Sequence, residues 1–449
     1  MEAQRQAVER LQPMRVVGAV ASLRGLTLLV DDLPLPVGSF VSVAGSMGTR
    51  MGEVVGFDGE RSIVMLLGST AGIRAGDAVA GEHAGAVVQA GRRLLGRVID
   101  AIGRPLDGRE PAADLVATPL NPAPIPSMRR RLIRDALFTG VRAVDLMTTL
   151  GKGQRIGIFA GPGVGKSTLM GTIARNTSAD VNVIALVGER GREVRDFIEK
   201  SLGPEGLGRS VVVVSTSDES PLMRIRAAMA ATSIAEFFRD AGADVMLMMD
   251  SVTRFAQAQR QVGLAVGEPP ATKGYTPSVF AMLPALLERA GAIEGSGSIT
   301  GIYAVLVEGD DMTEPVADAC RGVLDGHVAL SRRLAHQGHY PAIDVLDSVS
   351  RVAGDVCDRA HVAGRMQIQR LLAAYREVED LVQIGAYAKG SNPVADAAIA
   401  LKPKLDALLR QGNEEREPFE EAKRKMLNIA VEAGAMLGGP PQQRGRGAA

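Results

Sequence analysis

The stretch RIGIFAGPGVGKSTLM, residues 155–170, decides the fold of this chain. It begins as an apolar strand, continues as a glycine-rich loop and ends in residues that favour a helix. A phosphate-binding loop needs this order, because glycines let successive backbone N–H groups converge on phosphate oxygens and the helix N-terminus adds its dipole. The loop departs from the strict pattern at Ala160, where that pattern has glycine. The stretch therefore predicts a nucleotide-binding site.

Side chains and backbone groups of this loop have separate predicted roles. Lys166 is expected to reach the β- and γ-phosphates of ATP, and the hydroxyl of Ser167 is expected to bind Mg²⁺. The other positions expected to contact the nucleotide are Gly161, Pro162, Gly163, Val164, Gly165 and Thr168.

Further apolar runs surround the loop and indicate the sheet to which it belongs. They are QRIGIFA (154–160), VNVIALVG (181–188), SVVVVSTS (210–217), ADVMLMMD (243–250) and SITGIYAVLV (298–307). Helical stretches separate them. Continuous apolar strands that alternate with helices are typical of a parallel sheet covered on both faces, so we predict an α/β domain.

Charged residues follow two of these strands. Asp250 ends one of them, and a carboxylate at the carboxyl end of a parallel strand can hold Mg²⁺ through water. Glu189 follows another, where its carboxylate can accept a proton from the water that attacks the γ-phosphate. Arg190 is placed to sense phosphate charge. The next charged residues, Arg192, Glu193 and Arg195, are interpreted instead as the exposed face of a helix.

Charge that develops on the γ-phosphoryl oxygens requires a further cation. Arg351, at the end of the predicted sheet domain, is the candidate. On spacing alone, an ordinary surface arginine remains the alternative interpretation of this residue.

The sequence on either side of the sheet predicts two smaller domains. Short valine-rich runs broken by glycine, from Gly18 to Glu82, are typical of a small antiparallel β-barrel. Beyond Val352, apolar residues recur at helical spacing and predict a helical domain. We place the domains at 1–95 (N-terminal segment and barrel), 96–351 (nucleotide-binding domain with a proline-rich link at 118–130) and 352–437 (helices), followed by a flexible tail at 438–449. The link is expected to be too stiff and too poor in hydrogen-bond donors to pair as a strand or to form a helix.

Composition limits the function classes. The chain has 449 residues, 46% hydrophobic and 23% charged, with 51 basic and 51 acidic side chains. No net charge attracts it to nucleic acid or anionic lipid. The N-terminus lacks the apolar core of a signal peptide, and no apolar run approaches the length of a membrane span, so we expect a soluble intracellular protein.

Several segments together resemble the type III secretion ATPases, relatives of the rotary ATP synthase catalytic subunit. The segments are GPGVGKSTLM (161–170), GERGREV (188–194), DSVTRFAQAQR (250–260), GEPPATKGYTPSVFAMLPALLERAG (267–291), DGHVALSRRLAHQGHYPAIDVLDSVSR (325–351) and IGAYAKGSNP (384–393). The resemblance covers nearly all of the chain from Gly91 to Leu409. It implies a RecA-like ATPase domain that hydrolyses ATP.

The resemblance also implies roles for single residues. Glu189 matches the catalytic carboxylate, where non-catalytic subunits of rotary ATPases carry glutamine. Arg351 matches the arginine finger that reaches the neighbouring subunit's site, which implies a homohexameric ring. Tyr340 matches the aromatic residue that packs on adenine.

Partners and location follow from the same resemblance, with the flagellar branch favoured on general similarity. It implies a stator-like negative regulator at the N-terminal segment, an export gate and a central stalk protein at the C-terminal helices, and chaperones that deliver export cargo. The ring would lie in the cytoplasm, peripheral to the inner-membrane base of the export apparatus, and would bind no nucleic acid.

Two alternatives are weighed against this function. A rotary synthase or vacuolar-type subunit would need an acidic coupling loop where this chain has IGAYAKGSNPVADA (384–397), and a GG entry to the P-loop. An RNA-dependent ring helicase would need basic and aromatic surfaces on which bases stack. Aromatic residues make up 3% of this chain and tryptophan is absent, which disfavours the helicase.

Overall fold

The computed structural model describes residues 15–82, 87–307, 309 and 311–438. Two predictions fall at least partly outside this range. The segment expected to bind a regulator lies almost wholly in residues 1–14, and the predicted tail is described only at Gly438.

A closed six-stranded antiparallel barrel forms the first part of the described chain. Its strands are β1 (Val17–Arg24), β2 (Thr27–Asp31), β3 (Phe40–Gly45), β4 (Gly48–Asp58), β5 (Arg61–Leu66) and β6 (Ala78–Gly81), hydrogen-bonded in the order β1-β2-β5-β4-β3-β6. Alternate valines, among them Val41, Val43 and Val54, are completely buried inside. The predicted barrel is confirmed, because period-two alternation leaves one apolar face that closure of the sheet covers.

The central domain contains the remaining strands and most of the helices. In chain order its elements are β7 (Val87–Ala90), β8 (Arg97–Asp100), β9 (Val116–Pro119), β10 (Ala136–Leu137), α1 (Arg142–Met147), β11 (Leu150–Gly151), β12 (Arg155–Ala160), α2 (Lys166–Asn176), β13 (Val181–Glu189), α3 (Gly191–Asp196), a π-helical segment (Phe197–Leu202), α4 (Gly203–Gly208), β14 (Ser210–Thr216), α5 (Pro221–Asp240), β15 (Asp244–Asp250), α6 (Val252–Ala265), α7 (Pro277–Leu287), β16 (Gly291–Ala292), β17 (Ser298–Leu306), α8 (Pro315–Val323), β18 (Gly326–Leu330), α9 (Arg332–His336) and β19 (Ile343–Ser350).

One large sheet organises this domain, with the order β19-β18-β12-β17-β15-β13-β14-β8. Every pair along it is parallel except β18 with β19, which is antiparallel. All five strands predicted from the sequence are present. The structure adds four strands, β8, β16, β18 and β19, whose runs are shorter or interrupted by charged and polar residues. Of these, β16 pairs antiparallel with β17 outside the strand order given above.

Two hydrophobic cores cover the two faces of the sheet. In β13, Val183, Ala185 and Val187 face one core while Ile184 and Leu186 face the other. The first core includes α5, α6 and α7, and the second includes α1, α2 and the C-terminal helices. Burial on both faces explains why the central strands are apolar at most positions.

The proline-rich link differs in part from its prediction. We expected residues 118–130 to be too stiff and too poor in donors to pair, yet Thr118 and Pro119 pair with Val88 and Val87 as the end of β9. A proline at the end of an edge strand is tolerated because its missing N–H faces away from the partner strand.

The C-terminal helices pack against the central domain. They are α10 (Ala353–Val356), α11 (Arg359–Gln383), α12 (Pro393–Leu409) and α13 (Phe419–Leu437). Helix α11 is joined to the central domain by His361, whose Nε2 lies 2.8 Å from the carbonyl oxygen of Leu146. Across the described residues, none of the helices combines the length and apolar character that a membrane crossing requires.

A buried ion pair allows a test of this core. Arg289 donates from Nε and Nη2 to the carboxylate of Glu236, at 3.0 and 2.6 Å, and Glu236 is buried. Arg289→Met leaves that carboxylate without its cation, so we expect the free energy of unfolding to fall by about 3–5 kcal/mol. Urea denaturation measures the change.

The control is Arg195→Met, because Arg195 also pairs with a glutamate, Glu199 at 2.7 Å, but in full solvent. Little change is expected for this control. Equal losses in both variants would contradict the assignment of Glu236 and Arg289 as a buried pair.

Candidate active site

The glycine-rich loop joins the carboxyl end of β12 to the start of α2. Gly163 and Gly165 have φ values of 78° and 96°, in the left-handed region that glycine tolerates best. Gly165 precedes the first turn of α2, and no side chain caps that turn. The first N–H groups of the helix therefore remain available to an anion, as phosphate binding requires.

Lys166 is held between two carboxylates. Its Nζ forms an ion pair with Asp250 and lies 4.0 Å from Oε1 of Glu189. Strands β13 and β15 are neighbours, with Leu186 paired to Asp250, so both carboxylates emerge at the same edge of the sheet. The side chains of Asp250 and Glu189 are only 3% and 14% exposed. The structure thus brings together three residues that span more than 80 positions of the sequence, from Lys166 to Asp250.

Burial changes the acidity of Glu189. Desolvation, assisted by the nearby charge of Asp250, raises its pKa to about 7, while Lys166 and Arg254 oppose this shift. A carboxylate with this pKa exchanges a proton near neutral pH. General-base chemistry is most effective when the base has such a pKa.

Sequence reasoning missed Arg254. A Cβ built on Gly188 would lie 3.1 Å from Cβ of Arg254 and 3.3 Å from Cδ of Arg224, so both arginines pack directly against the backbone before Glu189. Arg254 lies in the first turn of α6, four residues after Asp250. Its place just after the strand that ends in Asp250, the carboxylate predicted to hold Mg²⁺, is the signal that could have identified it.

The structure does not bring Arg190 into the Lys166 cluster. Its side chain is 77% exposed and its guanidinium lies 3.2 Å from Glu193. Arg192, Glu193 and Arg195 are exposed on α3, as expected. Glu193 nevertheless lies near the candidate site. It borders a cleft with Ser167 and Thr168, and it helps to raise the pKa of Glu189.

A cleft of about 450 Å³ lies beside the glycine-rich loop. Tyr340 forms one wall, with its ring 3.8 Å from a Cβ built on Gly165, and it is 48% exposed. Val164, Leu169 and Pro341 add apolar surface. A half-exposed aromatic ring next to a phosphate-binding loop suits the flat face of a nucleobase.

Another part of the cleft lining was not predicted. It consists of Gln411, Gly412 and Asn413, from the loop between α12 and α13. The side chain of Gln411 accepts a hydrogen bond from the N–H of Arg142 at 2.8 Å, and its backbone N–H donates to the carbonyl of Tyr340 at 2.9 Å. These contacts cross more than 70 residues, so no local pattern could reveal them.

Arg351 lies far from the Lys166 cluster of its own chain. It follows β19, whose last residue, Ser350, pairs with Gly326 at the amino end of β18. The glycine-rich loop is at the carboxyl end of β12, a strand parallel to β18. Arg351 is therefore at the opposite edge of the sheet, about the length of one strand away.

The donor set is adequate for a magnesium ion but not for a closed metal cage. Among the described residues, no group of three or more histidine, cysteine, aspartate or glutamate side chains could hold a metal. Magnesium is usually bound through one or two carboxylates together with substrate phosphates and water. Two buried carboxylates against one ammonium also leave an excess of negative charge, which favours a cation.

Comparison with known proteins agrees with this geometry. Residues 140–350 match the family model of the ATP synthase alpha/beta family, nucleotide-binding domain, and residues 357–428 match that of the T3SS EscN ATPase C-terminal domain. A "Flagellum-specific ATP synthase" of Bacillus subtilis is 52% identical over 91% of this chain and 92% of its own length. A "Type 3 secretion system ATPase" of Xanthomonas euvesicatoria is 48% identical over 93% of this chain and 95% of its own.

A solved structure is similar over the same range. It is that of the assembled ATPase EscN in complex with its central stalk EscO, from the type III secretion system of enteropathogenic E. coli. The TM-score is 0.85 at 40% identity, covering 92% of this chain and all of the EscN chain.

The raised pKa of Glu189 predicts a pH dependence of stability. The folded protein keeps this carboxyl protonated to about pH 7, whereas the unfolded chain releases the proton near the ordinary glutamate pKa of 4.5. Between these values the folded state binds more protons, so its stability falls as pH rises. We expect the melting temperature of wild type, relative to Glu189→Gln, to decrease from pH 5 to pH 8.

Thermal melts of both proteins across this range measure the difference. Glu199→Gln, at an exposed position on the segment after α3, is the control and should show no such trend. A constant difference between wild type and Glu189→Gln would mean that Glu189 ionises as it does in water.

Proposed function

Because this chain belongs to the ATP synthase alpha/beta family, among the ATPases of flagellar and type III secretion systems, we propose that its site hydrolyses Mg-ATP at the interfaces of a homohexameric ring. The observation that carries this proposal is the position of the candidate groups. Lys166, Glu189 and Asp250 meet at one edge of the sheet, and Arg351 lies at the other.

Nucleotide binding would begin at the glycine-rich loop. Backbone N–H groups from Gly161 to Thr168 surround the phosphates, and the ammonium of Lys166 binds the β- and γ-phosphate oxygens. In the structure this ammonium is paired with Asp250. Binding of the phosphates therefore exchanges one anionic partner of Lys166 for another and releases the carboxylate of Asp250.

Magnesium would be held by Ser167 and, through water, by Asp250. When bound, it neutralises charge on the phosphate oxygens. The residues of this chain fit that ion, because the hydroxyl of Ser167 is exposed at the start of α2 and Asp250 ends the adjacent region of the sheet.

Glu189 would accept the proton of the attacking water. Its pKa of about 7 makes it partly ionised at neutral pH, so it can take a proton and release it again in each turnover. A glutamine at this position could orient water but could not accept its proton. Arg190 would turn toward the phosphates only after breaking its contact with Glu193.

Tyr340 would hold the base of the nucleotide. Its ring borders the cleft beside Gly165, and the backbone N–H of Gln411, which also lines the cleft, donates to the carbonyl of Tyr340. The cleft thus has room for a base adjacent to the loop that binds the phosphates.

Arg351 would complete the site of the next subunit. The guanidinium cannot reach the loop of its own chain, because β12 alone spans five residue steps, or about 16 Å, from Arg155 to Ala160. A ring in which each chain offers one edge of its sheet to its neighbour brings the two groups together. The EscN relative is itself described as assembled.

The hydrolysis would drive protein export, and similarity to flagellum-specific relatives favours a flagellar apparatus. A central stalk protein would contact the C-terminal helices, since EscN binds its stalk EscO. We further propose an export gate, chaperones with their cargo and a stator-like regulator at the N-terminal segment as partners. The ring would work in the cytoplasm at the inner-membrane base of the apparatus.

Lys166→Ala tests the phosphate-binding assignment. Removal of the ammonium should lower the rate of ATP hydrolysis by at least about a hundredfold, since a preorganised cation at the developing charge is lost. Phosphate release measures the rate. Lys404→Ala, at an exposed ion pair on α12, is the control and should retain wild-type activity. Normal hydrolysis by Lys166→Ala would reject this site.

Mixing two inactive variants tests the shared site. Glu189→Gln chains retain the wild-type Arg351, and Arg351→Ala chains retain the wild-type Glu189. Mixed rings therefore contain some interfaces in which both groups are intact. ATPase activity should rise above that of either variant alone. If the mixture stays inactive although size measurements show mixed rings, Arg351 does not act in trans.

A further inference from the structure

The guanidinium of Arg351 is exposed and forms no hydrogen bond or ion pair with any residue in the described ranges. Its backbone, in contrast, is held firmly. The N–H of Arg351 donates to the carbonyl of Asp325 at 2.9 Å, and the preceding Ser350 is paired with Gly326. The chain therefore fixes where this side chain begins while leaving its charged end free.

Gln154 is the centre of these contacts, and its side chain is completely buried. Its Nε2 donates to the hydroxyl of Ser350 at 3.0 Å and to the carbonyl of Asp325 at 3.2 Å. Its Oε1 accepts from the N–H of Gly151 at 3.0 Å. One amide group thus links the residue before Arg351 to the carbonyl that receives the N–H of Arg351.

The other groups around this amide are also held. The hydroxyl of Ser350 donates to the carbonyl of Thr149 at 2.9 Å. The carboxylate of Asp325 receives three hydrogen bonds from Arg155, one from its backbone N–H and two from its guanidinium, at 3.0–3.1 Å. A charged, forked pair of this type has a defined geometry.

Glycine is required where β18 begins. A Cβ on Gly326 would lie 2.1 Å from the carbonyl oxygen of Val349 and 3.0 Å from Cα of Ser350. The backbones of β18 and β19 therefore approach closely just before Arg351. This close approach and the Gln154 contacts restrict the same short segment, residues 349–351.

Gln154 immediately precedes β12, and β12 ends in the glycine-rich loop. One strand therefore carries the phosphate-binding loop at its carboxyl end and holds the Arg351 segment at its amino end. The loop is continuous with β12 in the chain, and the Arg351 segment is held through the hydrogen bonds of Gln154 to Ser350 and Asp325.

We propose that Gln154, acting with Ser350 and Asp325, is a positioning residue for Arg351, so that the guanidinium is presented at a fixed place to the next subunit. The inference rests on the proposed function, in which Arg351 completes the neighbouring site. An otherwise unpaired guanidinium accelerates the reaction only if its backbone is placed correctly, because a displacement of about 1 Å can lower the rate by up to a hundredfold.

Ser350→Ala and Gln154→Met test the proposal at two levels of severity. Each removes a hydrogen bond next to Arg351, and we expect kcat to fall about tenfold with KM for ATP unchanged. Ser350→Thr keeps the hydroxyl and should stay close to wild type. Ser348→Ala is the matched control, since its hydroxyl also joins β18 to β19, at Ala329, but does not contact the Arg351 segment.

The decisive measurement is complementation in mixed rings. If Ser350→Ala misplaces Arg351, mixing it with Glu189→Gln chains should restore activity above the average of the two proteins, because some interfaces then have an intact base and a well-placed arginine. Mixing it with Arg351→Ala chains should give no rise, because neither partner supplies a well-placed arginine. A general loss of stability would produce no such difference between the two mixtures.

The outcomes separate this inference from the proposed function. If Arg351→Ala hydrolyses ATP normally, the shared site is wrong and the positioning role is wrong with it. If Arg351→Ala is inactive and complements Glu189→Gln, but Ser350→Ala and Gln154→Met keep full kcat, the shared site stands and the positioning role is rejected. Equal behaviour of the Ser350→Ala and Ser348→Ala chains in both mixtures would also reject it.

Discussion

The structure depends on one electrostatic arrangement, an ammonium between two nearly buried carboxylates. Lys166 comes from helix α2, Asp250 from strand β15 and Glu189 from strand β13, and each alone would be costly to remove from water. Together they compensate only in part, because two negative charges face one positive charge once Glu189 is ionised. Burial, assisted by the charge of Asp250, raises the pKa of Glu189 to about 7. In the proposed mechanism, phosphate binding by Lys166 and proton transfer by Glu189 both take place within this cluster.

The parallel sheet explains why such a site needs a second subunit. All carboxyl ends of the parallel strands lie at one edge, so the loop, Asp250 and Glu189 meet there. The outermost strand, β19, runs antiparallel to the others. It therefore ends where they begin, and Arg351 lies at the side of the sheet formed by the amino ends of the parallel strands. A chain with this topology cannot close its own site with Arg351. In the proposed mechanism, oligomerisation is then a condition of catalysis and couples each site to its neighbour.

Local physics limits what the sequence reveals. The central strands were predictable because burial on both faces leaves continuous apolar runs, and the glycine-rich loop because its backbone geometry needs glycine at Gly163 and Gly165. Edge strand β19 and helix α12 were not predicted from local patterns, since charged or small residues interrupt them. Gln411 was missed because tertiary packing alone brings it to the site, whereas Arg254 follows the strand that ends in Asp250 and could have been found from that position. Pairing by Thr118 and Pro119 was missed because a proline lacks an N–H donor but can still end an edge strand.

The cleft proposed to hold the base is lined by residues of two domains. Tyr340 belongs to the central domain, whereas Gln411 belongs to the loop that joins α12 to α13. The guanidinium of Arg142 ties that loop to α1 through the carbonyl of Leu408 and the carboxylate of Glu417. A movement of the C-terminal helices would therefore change this part of the cleft lining or break these contacts. Because breaking them would leave buried polar groups unpaired, we expect the helices and the cleft to move together. In the proposed mechanism, a partner that displaces the helices would then change nucleotide affinity without touching the phosphates.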